Sequence, residues 1–332
     1  MKPKLKQLAD QVIVITGASS GIGLVTARRA AAAGAKVLLV ARSEDALREI
    51  VDDINANGGT ADHFGADVGD PSALTAAAAH AVERFGRIDT WVNDAGVAIY
   101  ARLEDTPEDE HQQLFRTNYF GMVHGCLAAL PHLRSGGTLV TVGSVASDMS
   151  SPVMGAYAAS KHALKAYVEA LRIEMQDVAP GLSISLVKPA GIDTPIGQHA
   201  INHVGGEAQI PPPAYDPELV AQAILHCATH RVREITVGGA GRAQVLFATH
   251  FPALFERFAP AAAKGFVDRT KRQPRPSNLF EGAAAGRERS GEQTPLQSSP
   301  YTRAMEHPRA VAVVGIGGLA LALTALALRR RA

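Results

Sequence analysis

The sequence is poor in cysteine and aromatic residues and carries almost no net charge. Cys126 and Cys227 are the only cysteines among 332 residues, so a disulfide framework is excluded and either a reducing compartment or no redox role at all is expected. Lys and Arg number 33 against 32 Asp and Glu, a formal charge of +1. A nucleic-acid-binding chain would be clearly basic, so no nucleic-acid partner is expected. A hydrophobic fraction of 46% excludes a wholly disordered chain. Aromatics make up only 5%, whereas 31 glycines and Ala-rich runs suit helices packed closely on a sheet. Lys2, Lys4 and Lys6 precede an apolar run of four residues, too short for the core of a secretory signal. The neutrality is also a sum of unlike parts. Residues 1–263 carry −6, residues 264–309 carry +4, and the chain ends in Arg329-Arg330-Arg331.

What the sequence has is alternation of short apolar runs with helical stretches. Val12–Ile15, Lys36–Val40, Asp89–Asn93, Thr138–Val142 and Ser183–Val187 read as strands, each nearly continuous in apolar residues. Strands of that kind, separated by helices, predict an α/β fold: a Rossmann-like, doubly wound parallel sheet with helices on both faces. Ligands bind such sheets beyond the carboxyl ends of the strands.

The character changes near residue 241. Phe247, Phe251, Phe255, Phe258 and Phe266 lie within twenty residues, the first four on one helical face interrupted by Pro252. They read as a stripe packed on the core or capping a cleft, with an interfacial helix resting on a membrane as the sharper reading. Residues 264–309 form a basic linker rich in Pro, Gly and Ser without an apolar period. Residues 310–328 are nineteen in a row without a charge. A helix of that length spans about 28 Å, so a transmembrane anchor is expected. The predicted organisation is therefore a domain over 1–263 (core 10–240), a linker over 264–309 and a single hydrophobic helix over 310–328. The basic linker favours a domain on the cytoplasmic side of an anionic leaflet, whereas Arg329-Arg330-Arg331 pulls against that and leaves the orientation of the helix open.

Three motifs carry chemistry. Gly17, Gly21 and Gly23, with Ser19, Ser20 and Ile22, form a turn between a strand and a helix, where backbone amides can hold a pyrophosphate. The same stretch contains Gly17-x-Ser19-x-Gly21, the pattern of a hydrolase nucleophile elbow, but on the first strand rather than after several. Tyr157 and Lys161 stand at i and i+4 on one helix face. A neighbouring ammonium lowers a phenol's pKa from about 10 and suits it to proton transfer. Ser144 follows a strand and can offer a hydroxyl to a substrate oxygen. Two histidine pairs, His199/His203 and His226/His230, have helical spacing but no third ligand nearby, so no metal site is expected.

With Asn93-Asp94-Ala95-Gly96, Asn118 and the segment Pro189–Thr194, these motifs resemble the short-chain dehydrogenase/reductase family over about residues 10–240. The resemblance implies one Rossmann-like domain, a nicotinamide cofactor and reversible interconversion of a carbonyl and an alcohol. It implies that Tyr157 is the proton donor or acceptor, that Lys161 lowers its pKa and holds the nicotinamide ribose, that Ser144 polarises the carbonyl, and that Asn118 supports a water-linked proton path. Cofactor contacts are implied for the glycine loop, Asp67, Val68, Asn93, Ala95, Gly96, Pro189, Ile192 and Thr194. A homodimer or homotetramer through the helices bearing Asn118 and Tyr157 is also implied. Two departures stand out: Asp94 replaces the family's second Asn, and Ala190 follows Pro189 where the family has Gly.

Ala41 stands where an NAD-binding acid would sit, and Arg42 can fork onto a 2′-phosphate, so NADP(H) is expected over NAD(H). The expected function is an NADP(H)-dependent oxidoreductase, with a lipophilic substrate suggested by the membrane anchor. The alternatives are a membrane-tethered NADP(H)-binding protein without turnover and, more remotely, a hydrolase using Ser19.

Overall fold

The computed structural model describes residues 4–273, 277–282 and 286–306. Seven parallel strands form the central sheet: β1 (Val12–Thr16), β2 (Lys36–Ala41), β3 (Thr60–Gly65), β4 (Thr90–Asn93), β5 (Gly137–Val142), β6 (Leu182–Pro189) and β7 (Glu234–Val237). Their spatial order is β7-β6-β5-β4-β1-β2-β3. The order reverses at β1, which pairs β2 with Val12 opposite Lys36 and β4 with Ile13 opposite Thr90. A crevice opens at such a reversal, at the carboxyl ends of the strands.

Alternation along each strand feeds two separate cores. Ile13, Ile15, Val37 and Leu39 pack under α1 (Gly21–Ala32) and α2 (Glu44–Ala56). Val12, Val14, Leu38 and Val40 pack under α3 (Pro71–Phe85) on the other face. Both faces are dry, which explains why these strands read as unbroken apolar runs. Gly86, at φ +88°, ends α3 with a left-handed cap, and Asp70 begins it by accepting from the Ser72 amide at 2.8 Å.

Beyond β4, α4 (Glu108–Phe115) runs through a π-helical turn at Arg116–Phe120 into α5 (Gly121–Leu133). The long α6 (Gly155–Val178) follows β5, and α7 (Pro217–Thr229) lies against α1. Two further helices, α8 (Gly239–His250) and α9 (Pro252–Ala262), divide at Pro252 as the sequence suggests. The phenylalanine stripe does not pack on the core. Phe247, Phe251 and Phe258 are exposed, together with Leu246 and Leu254, and only Phe266 turns inward, against Tyr100.

The composition of 264–309 suggests a free linker, but its described residues fold back onto the domain. Val267–Asp268 pairs antiparallel with Glu207–Ala208. Arg289 forks onto Asp216 at 2.8 and 3.1 Å, a charge-assisted pair. Leu296 exchanges backbone hydrogen bonds with Ala214 and Asp216. Finally α10 (Pro300–Glu306) packs on β7, where Thr302 accepts from the Gly238 amide at 3.0 Å. Leu279 is fully buried, a burial worth about 1.5–3 kcal/mol. Polar anchors at fixed points and one deep leucine replace the apolar period that a helix or strand would show. Among the described residues no helix is long and apolar enough to cross a membrane. The run 310–328 lies outside them.

Candidate active site

The loops at the carboxyl ends of β1 to β6 surround one cavity of about 680 Å³. Gly17, Ser19, Ser20, Gly21 and Ile22 line it from β1, Arg42 from β2, and Asp67 and Val68 from β3. Ala95 and Gly96 line it from β4, and Pro189, Ile192 and Thr194 from β6. Gly17 has φ +74°, and a Cβ there would lie 2.8 Å from the Ala95 backbone. Gly23 does not line the cavity; a Cβ on it would meet the Gly17 carbonyl at 2.5 Å. One glycine therefore shapes the turn and the other lets α1 seat beneath it. The result is a cradle of backbone amides at a helix N-terminus, which fits the diphosphate of a dinucleotide.

Asn93 is placed differently from the sequence expectation. Its side chain accepts from Trp91 Nε1 at 2.8 Å and contacts Cys126 Sγ at 3.4 Å, behind the cavity rather than in it. Asp67 accepts from the Gly69 amide at 2.9 Å and faces Arg116 at 3.4 Å. Ala190 adopts no left-handed backbone. Its methyl instead faces Gly238 and Gly241, where any Cβ would lie within 2.8 Å of it.

The reactive groups converge at the end of β5. Lys161 and Tyr157 rise from α6, with the Lys161 ammonium 5.7 Å from the Tyr157 ring centre and donating to the Val142 carbonyl at 3.1 Å. The Ser144 hydroxyl is within hydrogen-bonding reach of the Tyr157 phenol and caps the turn after β5 by accepting from the Ala146 amide at 3.1 Å. Asn118 sits in the π-helical turn. It bonds Val97 through both amide groups, at 2.8 and 3.0 Å, and Ser160 at 3.1 Å. That turn opens the helix backbone at the site, a common place for such an irregularity.

Electrostatics correct one expectation. Burial pushes the Tyr157 phenol up to about 12, the Ser144 hydrogen bond opposing this and the Asp94 charge adding to it. Burial also brings the Lys161 ammonium down to about 8. Asp94, which sequence reasoning treated as a minor departure, acts as a smaller influence on both: it adds to the rise of the phenol and supports the Lys161 charge. Its carboxyl is pushed up to about 7 by burial, against the pull of Lys161 and a hydrogen bond from the Gly23 amide. Asp94 and Lys161 thus form a buried, mutually dependent pair beneath the glycine loop, poised near neutrality.

Sequence reasoning also missed the far side of the cavity. Asn278 and Gly282 line it, and the Arg42 guanidinium donates to the carbonyls of Asn278 and Leu279. The Gly286 amide donates to the Ser19 carbonyl at 2.8 Å, and the Gly21 amide donates to the Arg287 carbonyl at 2.9 Å. No composition signal marks these residues.

A family model described as short chain dehydrogenase matches residues 11–204. A Bacillus subtilis protein named uncharacterized oxidoreductase YxnA is 37% identical over 332 residues, covering 97% of this chain and 92% of its own. Among solved structures, a short chain dehydrogenase/reductase from Burkholderia phymatum in complex with NAD is 25% identical. It superposes with a TM-score of 0.69 over 82% of this chain and 99% of its own. An alcohol dehydrogenase from the archaeon Thermococcus sibiricus, complexed with 5-hydroxy-NADP, is 29% identical with a TM-score of 0.61, over 68% and 95%. The family match decides against a nucleophile elbow at Ser19: the glycine loop, the seven-stranded parallel sheet and the Ser144–Tyr157–Lys161 cluster belong together, and this chain is an oxidoreductase of the short chain dehydrogenase family.

Proposed function

We propose that the protein is an NADP(H)-dependent oxidoreductase that interconverts a lipophilic carbonyl compound and its alcohol, with Tyr157 as the proton donor or acceptor. The observation that carries this reading is the convergence of Ser144, Tyr157 and Lys161 on one cavity whose opposite end is the glycine cradle. A nicotinamide dinucleotide held by the Gly17–Ile22 loop, Arg42 and Lys161 supplies or takes up the hydride. Ser144 donates a hydrogen bond to the substrate oxygen and fixes it against the phenol. Tyr157, which burial keeps protonated, gives its proton to that oxygen in the reducing direction as negative charge develops there, and takes it back in the oxidising direction. Lys161, fixed by the Val142 carbonyl, stabilises the resulting phenolate, and Asn118 holds the backbone at Val97.

Arg42 supports NADP(H), since no acid stands at Ala41 to repel a 2′-phosphate and a guanidinium lies at the cavity wall. Lipophilicity is supported by Met149, Met154, Ile196, Ile210 and Phe266 along the substrate end. Residues 310–328 tether the protein to a membrane, with the domain on the cytoplasmic side; the exposed phenylalanines of α8 and α9, next to the cavity-lining Ala261 and Ala262, fit that tether. Phe120 at the end of the π-helical turn, Leu127 on α5 and Ile173 on α6 are exposed and fit a homo-oligomer through those helices. The test is NADPH oxidation by the full chain in detergent against lipophilic and water-soluble ketones. Turnover of the lipophilic set, reduced about 10²–10⁴-fold by Tyr157→Phe, is expected. Tight NADPH binding without turnover of any carbonyl would overturn the reading.

A further inference from the structure

Three side chains in one row of α6 grip three points at the end of β5. Tyr157, Lys161 and Lys165 stand at i, i+4 and i+8 on one helix face. Tyr157 meets the Ser144 hydroxyl, Lys161 donates to the Val142 carbonyl at 3.1 Å, and Lys165 donates to Asp148 Oδ1 at 2.5 Å. The first two contacts belong to the chemistry above; the third lies outside it. Ser144, Val145 and Ala146 line the catalytic cavity, whereas the next two residues, Ser147 and Asp148, line a separate recess with Lys165, Lys188 and Glu234. We propose that Asp148 is a positioning residue: its ion pairs with Lys165 and Lys188 hold the Ser144 turn against α6 and so fix the Ser144 hydroxyl against the Tyr157 phenol. The proposal rests on the catalytic reading of Ser144 and Tyr157 given above.

The turn needs a hold from outside itself. Val145–Ser147 is a single 3-10 turn of three residues, entered from an extended Ser144 at φ −167°, and hydrogen-bond geometry in so tight a turn is poor. Its reciprocal cap joins Ser144 to the Ala146 amide at 3.1 Å and Ser147 to the Ser144 amide at 3.2 Å. That cap fixes the shape of the turn but not its place. Asp148 supplies the place. One carboxylate oxygen is held by Lys165 on α6 and the other by Lys188 on β6, one residue before the cavity-lining Pro189. A single anion therefore ties the turn both to the helix that carries Tyr157 and to the strand that leads into the Pro189 wall.

The knot is charged and sheltered. Burial pushes the Asp148 carboxyl up, but the hydrogen bonds from Lys165 and Lys188 outweigh this and hold it below the usual carboxylate range. The Lys188 side chain is only 3% exposed and also pairs with Glu234 at 2.5 Å. Pairs screened from water in this way keep their geometry better than exposed ones, whose long side chains stay mobile.

The experiment follows NADPH-dependent reduction of acetophenone by the full chain in detergent, with NADPH affinity measured separately by fluorescence titration. Lys165→Met is the deciding variant, because it leaves Asp148 paired with Lys188. Asp148→Asn, which cuts both ties, is the stronger second variant. A fall in kcat of about tenfold in Lys165→Met and about 100-fold in Asp148→Asn is expected, with KM for the ketone and NADPH affinity little changed. Lys165→Arg, which keeps the charge and the reach, is expected to restore most of kcat. A double-mutant comparison separates positioning from a general loosening of the fold. In a Ser144→Ala background no hydroxyl is left to aim, so Lys165→Met is expected to cost nothing further. Normal turnover in Lys165→Met overturns the proposal, as does a fall in kcat by the same factor with and without the Ser144 hydroxyl, or a loss confined to NADPH affinity. Full turnover in Tyr157→Phe, or none by the unaltered chain on any ketone, refutes the catalytic reading and the positioning role with it. An inactive Tyr157→Phe chain beside an unimpaired Lys165→Met chain refutes the positioning role alone.

Discussion

The two walls of the cavity are built on opposite principles. The wall at the carboxyl ends of β1 to β6 is made of residues within a few positions of a buried strand, together with Tyr157 and Lys161 on the long α6. Much of the opposite wall, at Ile196, Ile210, Phe266, Asn278 and Gly282, is held by short pairings such as Val267–Asp268 with Glu207–Ala208 and by side chains and single backbone bonds. The first wall holds groups that must stay put for hydride and proton to pass. The second holds the apolar side chains that line the substrate end. Chemistry lies on the rigid wall and selection on the adaptable one, a division that follows from where backbone strain and entropy are cheapest.

Changes on the rigid wall test this division most severely. Lys161→Met removes the buried ammonium from beneath Tyr157 and leaves Asp94 without its counter-charge. Turnover is expected to fall about 10²–10³-fold, with the lipophilic substrate's inhibition constant little changed; a fall confined to substrate affinity would place Lys161 on the selecting wall. Arg42→Asp comes next, expected to weaken NADPH binding about 10–100-fold while NADH binding changes much less. Equal losses for both nucleotides, measured by fluorescence titration, would remove Arg42 from cofactor choice. The smallest effect is a shift in pH dependence. The Asp94 charge raises the Lys161 pKa toward its value of about 8 against the larger effect of burial. Asp94→Asn removes that support, so Lys161 loses its proton at lower pH. The alkaline limb of kcat/KM is then expected to move to lower pH, and a limb that stays in place would uncouple Asp94 from the reacting groups.

The rigid wall was also the legible one. Five of the seven strands could be read because burial on both faces forces unbroken apolar runs, and motifs at their ends then fell into one cavity. The edge strand β3 carries Asp62 and His63, and the other edge strand β7 alternates Glu234 and Thr236 with its two apolar residues, so neither shows such a run. Asn93 was misplaced because a motif gives neighbours in sequence, not the direction of a side chain. Tyr157 was expected to be acidified because spacing shows Lys161 beside it but not the burial of both or the carboxyl of Asp94. The selecting wall was illegible for a different reason. Its anchors, such as Arg289 on Asp216 and Ser290 on Asp193, span 73 and 97 residues, and no local period records contacts of that range. The exposed phenylalanines carry a helical period, yet the period says only that a face exists, not whether core, lipid or solvent meets it.

The residues that fold back after 264 also redefine where the domain ends. The family motifs stop near residue 240 and the family model at 204, which invites trimming the chain after its last core helix to obtain a tractable fragment. Such a cut would take away Leu279 from behind Tyr157, the carbonyls from Arg42 and the fork from Asp216 in one stroke. The shortened protein would keep every residue of the family signature and lose one side of the chamber in which they act.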